Sequence, residues 1–166
     1  ELDYVNYRFA DGGFVEAPGG RLVIAKQHQI ANYADFCNDC GNCDVFCPED
    51  GGPYVAKPRF FGSLDSFRKA APLDGFFLRR TADGCIVHGR FGGRDYRAEL
   101  AARGGLARYE GEGFALEFLC YDPAGTLRGT AEGEVDLTYF HLMDRLQRAM
   151  LVETGTNWVN SGGEGR

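Results

Sequence analysis

The sequence predicts an α+β fold, in which a small cysteine-rich loop module precedes an antiparallel β-sheet closed by one long C-terminal helix. Three observations predict this architecture. Four of the six cysteines lie within residues 37–47. Strand-length apolar runs separated by glycine-rich turns recur over residues 75–135, and residues 137–152 repeat their apolar positions at helical spacing.

The N-terminal region predicts one or two β-hairpins. Aromatic and polar residues alternate from Tyr4 to Val15 around an Asp-Gly-Gly turn signal at residues 11–13, which is typical of paired strands. A second turn is expected at residues 17–20, where the sequence reads Ala-Pro-Gly-Gly. Together with the cysteine segment, these hairpins form the first predicted unit, residues 1–58.

The second predicted unit, residues 59–160, contains a short helix, the sheet and the long helix. The short helix is expected over residues 63–71 with Ser63 as its N-cap. The predicted strands are Phe76–Arg80, Cys85–Phe91, Tyr96–Leu100, Leu106–Tyr109, Phe114–Tyr121 and Leu127–Val135. Turns between runs are expected at Asp83-Gly84, Gly92-Gly93 and Pro123–Gly125. The apolar stripe of the long helix is predicted to be Tyr139, Leu142, Met143, Leu146, Ala149 and Met150. Residues 161–166 are expected to form a flexible tail.

Composition and charge argue against several functional classes. The net charge is -6 and the pI is about 5.1, whereas nucleic-acid binders rely on clustered Lys and Arg. No apolar run approaches the roughly 20 residues that a membrane span requires, and the first residues lack the features of a signal peptide. We therefore expect a cytoplasmic protein with no membrane span and no nucleic-acid partner.

The distribution of the cysteines indicates metal ligation rather than disulfide bonding. A secreted disulfide scaffold spreads its cysteines to join distant loops, whereas four cysteines here crowd into one short segment. Cys85 and Cys120 stand alone in strand-like runs, where a small buried thiol is the expected role. His88 and His141 are expected to be ordinary structural histidines, and His28 has the best claim of the three to influence a bound metal.

The spacing within this segment is specific for an iron–sulfur cluster. Cys37, Cys40 and Cys43 are separated by two residues each, and Cys47 follows after three more, with Pro48 behind it. This is the C-x2-C-x2-C-x3-C-P run of bacterial ferredoxins, which binds a [4Fe–4S] cluster. We therefore expect the loop module to be ferredoxin-like and these four cysteines to be the cluster ligands. The residues Tyr33, Phe36, Phe46 and Tyr54 are expected to shield the cluster from water.

A structural zinc site and inert buried thiols are the alternatives to a cluster. Zinc sites more often pair two C-x2-C knuckles across a dozen or more residues. The sequence has no second knuckle, and no histidine lies close behind the segment. The iron–sulfur interpretation is therefore preferred.

The number of cysteine runs leaves the full ligand set open. In two-cluster ferredoxins the fourth cysteine of each run ligates the other cluster, but only one run is present in this sequence. The second run could lie upstream in a longer polypeptide or on another subunit, Cys85 or Cys120 could complete a single cluster, or all four cysteines of the segment could bind one cluster. The first option is preferred, because the chain begins at Glu1 without an initiator methionine.

The cysteine segment and its flanks also resemble a known family. The distinctive stretches are Cys-Asn-Asp-Cys-Gly-Asn-Cys at residues 37–43 and Phe-Cys-Pro-Glu-Asp-Gly-Gly-Pro-Tyr at residues 46–54. They resemble the C-terminal iron–sulfur region of the selenate reductase subunit family. These are large flavoproteins similar to the glutamate synthase small subunit and dihydropyrimidine dehydrogenase. The likeness covers roughly residues 22–80, about a third of the chain.

The resemblance implies a role in electron transfer. In that family the run is the second of two, so Cys37, Cys40 and Cys43 would hold one cluster and Cys47 would reach another. FAD and NAD(P) would be bound by upstream domains or partner subunits, because this sequence contains neither the first run nor a G-x-G-x-x-G fingerprint. The expectation is an iron–sulfur electron-transfer domain of a multi-domain NAD(P)H- and flavin-linked oxidoreductase, without a substrate site of its own. The alternative is a zinc- or cluster-stabilised docking module with no redox role.

Overall fold

The computed structural model describes residues 1–26, 31–46, 52–103, 105–152 and 155–161. Within them the chain is mixed α/β, with a core that is mostly sheet and with few helices, and the sheets do not close into a barrel. No helix in these ranges is long and apolar enough to cross a membrane. The predicted tail lies outside them except for its first residue, Ser161.

The elements follow one another as short segments along the chain. The strands are β1 (Leu2–Ala10), β2 (Gly13–Leu22), β3 (Asn32–Tyr33), β4 (Arg59–Phe60), β5 (Gly75–Thr81), β6 (Gly84–Phe91), β7 (Arg94–Ala101), β8 (Leu106–Gly111), β9 (Phe114–Leu119), β10 (Arg128–Ala131) and β11 (Glu134–Val135). The helices are α1 (Asn42–Phe46), α2 (Gly52–Ala56), α3 (Leu64–Lys69), α4 (Pro123–Thr126), α5 (Thr138–Gln147) and α6 (Trp158–Ser161). A 3₁₀ turn spans Ala34–Phe36, and a π-helical turn spans Arg148–Val152.

In the described part of the chain the strands form two sheets. The larger has the order β10-β9-β8-β7-β6-β5-β4-β3, and the smaller has the order β11-β1-β2. Neighbours from β5 to β10 pair antiparallel, whereas β3 with β4 and β4 with β5 pair parallel. The predicted antiparallel strands are therefore present, and a short parallel extension is added at one edge.

The predicted turn at residues 17–20 is wrong, because these residues lie inside β2. Tyr4 pairs with Gly20 and Asn6 pairs with Ala17. Between these two pairs, β1 advances by two residues and β2 by three, so β2 contains one extra residue. The extra residue is absorbed as a β-bulge. A Cβ atom on Gly19 would lie only 1.8 Å from the carbonyl oxygen of Tyr4, so glycine is required for this close approach rather than for a chain reversal.

The predicted strand over residues 127–135 is also divided. It consists of β10 and β11, which are separated by a bend in which Gly133 has φ +99°. Strand β10 pairs with β9 of the larger sheet, whereas β11 pairs with β1 of the smaller one. The chain therefore passes from one sheet to the other at this bend.

Helix α3 has the predicted start and N-cap, but it ends at Lys69, two residues before the predicted end. Ser63 and Ser66 form a capping box, in which the Ser63 side chain accepts a hydrogen bond from the Ser66 backbone N–H. The predicted turn at Pro123–Gly125 is instead helix α4, capped by Asp122. A proline at the first position of a helix and an acidic N-cap before it are both favourable.

The C-terminal helical region buries the predicted stripe only in part. Met143 is buried as predicted, and Leu142, Leu146 and Met150 are partly buried against the core. The other fully buried side chains, Phe140, Gln147 and Leu151, were not predicted. Gln147 can be buried because its amide oxygen accepts a hydrogen bond from the Cys85 thiol at 3.4 Å and its amide nitrogen donates to Asp144 at the same distance. A polar residue hidden within an apolar stripe shifts the apparent periodicity.

The hydrophobic core joins both sheets to helix α5. The inward faces of β5–β9 supply its centre, which also includes Phe140 and Met143 of the helix. The N-terminal hairpin adds Tyr7, and the Tyr4 hydroxyl forms a hydrogen bond with Thr138 Oγ1 at the start of α5. The hairpin therefore packs against the C-terminal half of the chain.

Arg90 fastens helix α3 to the outer face of the larger sheet. Its buried guanidinium forms a bidentate ion pair with Asp95, with contacts of 2.5 and 3.2 Å. It also donates to the carbonyl oxygens of Phe67 at 3.1 Å and Leu73 at 3.2 Å, and it lies 4.3 Å from the centroid of the Phe67 ring. Only a planar group with several donors can satisfy all of these partners at once.

We expect Arg90→Lys to lower the free energy of unfolding by about 2 kcal/mol, because an ammonium group cannot replace the bidentate pair and both carbonyl contacts. Arg97→Lys is the matched control, since Arg97 pairs with Glu99 and Glu110 at a more exposed position, and it should cost less than about 1 kcal/mol. Urea denaturation measures both. Equal losses in the two variants would contradict this role.

His88 lies on the same face between two phenyl rings, with ring centroids 6.1 Å from Phe67 and 6.0 Å from Phe77. Burial, with the nearby positive charges of Arg97, Arg68 and Arg79, lowers the pKa of His88 to about 4. The imidazole is therefore neutral at physiological pH, as expected of a structural histidine.

This lowered pKa predicts a pH dependence of stability. The unfolded chain binds the His88 proton near pH 6.5 and the folded chain only near pH 4, so this contribution to stability is complete above pH 6.5 and is lost as the pH falls towards 4. Between pH 7 and pH 4.5, His88→Phe should lose about 1–2 kcal/mol less stability than the wild type. NMR titration of His88 should give a midpoint near pH 4, and a midpoint near 6.5 would disprove the assignment.

Candidate metal centre

The stem that carries the first cysteine is fixed to the edge of the larger sheet. The Asn32 backbone N–H donates to the Pro58 carbonyl at 2.9 Å, and β3 pairs in parallel with β4. Beyond the strand, the Asp35 carboxylate accepts a hydrogen bond from the Gly62 backbone N–H at 3.1 Å. A short strand and one polar contact thus hold the residues directly before Cys37.

Cys37 begins a tight loop that leads to the other described cysteines. Its backbone N–H closes the 3₁₀ turn by donating to Ala34 O at 3.0 Å. Asp39 and Gly41 then adopt left-handed backbone conformations with φ of +51° and +75°, which turn the chain sharply between the cysteines. The Cys37 thiol donates to Asp39 Oδ1 at 3.3 Å.

Cys43 lies on helix α1, next to the start of helix α2. A Cβ atom on Gly52 would lie 3.2 Å from Cys43 Sγ and 1.9 Å from Asp44 Oδ1. The Tyr54 hydroxyl donates to Asp44 Oδ2 at 3.1 Å, and this hydrogen bond raises the pKa of Tyr54. A glycine at position 52 is therefore needed for α2 to approach the Cys43 thiol and its neighbouring carboxylate.

The three predicted ligands that the structure describes, Cys37, Cys40 and Cys43, share one segment but are not gathered into a closed site. Cys37, Cys40 and Cys43 are free thiols, of which Cys40 is the most exposed. Cys47 lies outside the described residues, as does His28. Among the residues that the structure does describe, no three cysteine, histidine, aspartate or glutamate side chains are gathered closely enough to hold a metal ion. The donor set suits a thiolate-ligated metal in its chemistry, since soft sulfur ligands favour iron–sulfur clusters and zinc.

Aromatic side chains pack together beside the start of this segment. Phe36 packs against Tyr33, with ring centroids 5.0 Å apart, and burial followed by the charge of Asp35 raises the pKa of Tyr33. Phe36 also meets Trp158 of helix α6 edge to face at 5.1 Å. Phe46, on helix α1, is 86% exposed, so it does not shield the thiols in this conformation.

Trp158 is the neighbour of the segment that sequence analysis missed. It lies 121 positions after Cys37, and the residues around it show neither strand nor helical periodicity. Its only signal in the sequence is that it is the single tryptophan of the chain.

The isolated cysteines lie in different environments. Cys85 points into the core from β6, and burial raises the pKa of its thiol to about 11. Cys120 lies just after β9 and is exposed, so the expectation that it is a buried thiol is wrong. His141 packs against Tyr4 at 5.2 Å, and its pKa is lowered by burial. Cys85 is therefore placed as a core thiol, as the sequence analysis expected of it.

No protein-family model matches the chain, and no curated protein or solved structure is significantly similar to it. The resemblance to the selenate reductase subunit family therefore remains a prediction from the residues of the cysteine segment.

The thiols should differ strongly in reactivity in the metal-free protein. At pH 8 we expect iodoacetamide to modify Cys40 at least roughly tenfold faster than Cys85, because the thiolate is the reactive form and Cys85 is both buried and shifted to a high pKa. Mass spectrometry of the labelled peptides measures each rate. The difference should vanish in urea, and similar rates in the folded protein would contradict the buried position of Cys85.

Proposed function

We propose that this chain is an iron–sulfur electron-transfer domain in which Cys37, Cys40 and Cys43 supply thiolates to one [4Fe–4S] cluster, and Cys47 supplies a thiolate to a second cluster held together with another cysteine run. The observation that carries the proposal is the spacing of the four cysteines together with Pro48. Supporting it, the three described cysteines of the segment are free thiols rather than disulfides. Part of the proposal is that the segment forms a ferredoxin-like loop and that the C-terminal helix closes the sheet behind it.

The residues of the segment have distinct roles in this proposal. The stem from Asn32 to Cys37 keeps the first ligand at the sheet edge through its backbone and Asp35 contacts. Gly41 and Gly52 allow the backbone to come close to the thiols, where its N–H groups can stabilise charge on sulfur. When bound, the cluster would take up and release one electron at a time.

The larger context follows from the resemblance in the cysteine segment. We propose that the chain works within a cytoplasmic, multi-domain NAD(P)H- and flavin-linked oxidoreductase. FAD and NAD(P) would be bound by upstream flavoprotein domains or by a redox partner subunit, and these would also supply the second cysteine run. The domain would then relay electrons between the flavin and a terminal acceptor.

A zinc- or cluster-stabilised docking module is the second candidate. The observation that favours it is the apolar surface of helix α1, where Val45 and Phe46 are the two most exposed large apolar residues of the described chain. Exposed apolar side chains next to each other are typical of a surface that another protein covers. A zinc form would be colourless, whereas a [4Fe–4S] form would be brown and would bleach on reduction.

Anaerobic reconstitution of the full chain with iron and sulfide tests the proposal. We expect equal amounts of bound iron and acid-labile sulfide and an S = 1/2 EPR signal after reduction with dithionite. Cys43→Ser should abolish both because it removes a ligand, while Cys120→Ser, the matched control, should retain them. Binding of zinc alone, or retention of the cluster in Cys43→Ser, would disprove the proposal.

The iron content also separates the ligand options. About four irons per chain would mean that one chain completes a cluster by itself. A smaller amount, raised only when the upstream cysteine run is present in the same polypeptide, would mean that the segment is half of a two-cluster unit. Repeating the titration with Cys85→Ser decides whether this core thiol takes part.

A further inference from the structure

We propose that Trp158 is a positioning residue for the cysteine segment: it holds Phe36 in place, and Phe36 restrains Cys37 and forms an apolar wall beside it. The proposal rests on the function proposed above as far as the wall is concerned, because a wall matters only if Cys37 ligates a cluster. The restraint on Cys37 itself is independent of any metal.

The argument begins with the contact between the two ends of the chain. The Phe36 and Trp158 rings meet at 5.1 Å with an interplanar angle of 90°, and Tyr33 lies within 6.5 Å of the Trp158 ring. Edge-to-face pairs of this kind are favourable beyond the area that they bury. Phe36 is the last residue of the 3₁₀ turn and directly precedes Cys37, whose backbone N–H makes the hydrogen bond that closes the turn. Fixing the ring of Phe36 therefore restricts the cysteine next to it.

Trp158 is itself held by a dense set of hydrogen bonds. The side-chain amides of Asn157 and Asn160 both donate to the carbonyl oxygen of Met150, at 3.0 and 3.1 Å. The Asn157 N–H donates to Asn160 Oδ1 at 2.8 Å, and Asn157 Oδ1 accepts from the Asn160 N–H at 3.0 Å. These reciprocal bonds cap helix α6 and join it to the π-helical turn that follows α5. The helix that bears Trp158 is thus attached to the rest of the fold through these hydrogen bonds to Met150.

The stem on the other side is equally fixed. Tyr33 belongs to β3, and Asp35 is bound to the Gly62 backbone. Phe36 therefore lies between a strand edge and a capped helical turn, each with its own attachment to the core. An aromatic ring fixed from both sides limits the positions that Cys37 can take.

The outer surfaces of the pair remain available. Phe36 is 69% exposed and Trp158 is 66% exposed although the two rings touch. A group bound at Cys37 would find these apolar surfaces beside it. Apolar walls next to a cluster limit its contact with water, which lowers its reduction potential because the reduced cluster carries the larger negative charge.

Thiol labelling of the metal-free chain tests the restraint on Cys37. Trp158→Ala should raise the iodoacetamide labelling rate of Cys37 several-fold relative to that of Cys40, and Trp158→Phe should restore the wild-type ratio because a phenyl ring can still meet Phe36. Tyr121→Ala is the matched control, since it removes an aromatic side chain that is 75% exposed elsewhere. Circular dichroism confirms that each variant is folded. An unchanged ratio in folded Trp158→Ala would overturn the proposal.

Potentiometry of the reconstituted protein tests the wall. Trp158→Ala should move the reduction potential upward and speed the bleaching of the cluster in air, while Trp158→Phe and Tyr121→Ala should behave as the wild type. If Trp158 has only a structural role, Trp158→Ala lowers the thermal stability but leaves the reduction potential unchanged. That result would contradict the proposed apolar wall. If no variant binds iron even when the upstream cysteine run is supplied in the same polypeptide, the proposed function fails, whereas the labelling ratio still decides whether Trp158 positions Cys37.

Discussion

The parallel pairing of β3 with β4 determines where the cysteine segment lies. Two residues of strand, Asn32 and Tyr33, extend the larger sheet beyond its antiparallel part. The ladder bonds of this extension and the Asp35–Gly62 contact fix the stem before Cys37. A site built on a sheet edge is more rigid than one on a free loop. The helix that carries Trp158 reaches the same edge from the C-terminal end of the chain, so the edge is shared by residues far apart in sequence.

The antiparallel part of the fold follows closely from local sequence patterns. Alternation and paired glycines mark β5 to β9, and the Ser63 cap marks α3, because these signals depend on neighbouring residues alone. The bulge at Gly19 could not be predicted, since it is determined by the distance to a strand that pairs across the hairpin. The buried stripe of α5 could be predicted only in part for a related reason: Gln147 is buried by a partner on β6, which the helix sequence does not reveal.

The candidate site likewise combines features that the sequence predicts with features that depend on tertiary structure. The ligand types and their spacing are written within eleven consecutive residues, from Cys37 to Cys47, so they could be predicted directly. The surroundings of the site are non-local. The nearness of Trp158 to Phe36 depends on the course of the chain through both sheets and on the hydrogen bonds of Asn157 and Asn160 to Met150. Sequence patterns identify the donors, and tertiary structure determines what lies beside them.

The passage of the chain from β10 to β11 has a consequence for the order of folding. Strand β1 is bordered by β2, which is local, and by β11, which lies more than a hundred residues away. Pairings of such high contact order form late, because loop-closure entropy must be overcome first. During synthesis the cysteine segment leaves the ribosome well before β11 and helix α6. The segment therefore passes through a stage in which Trp158 is not yet available to pack against Phe36.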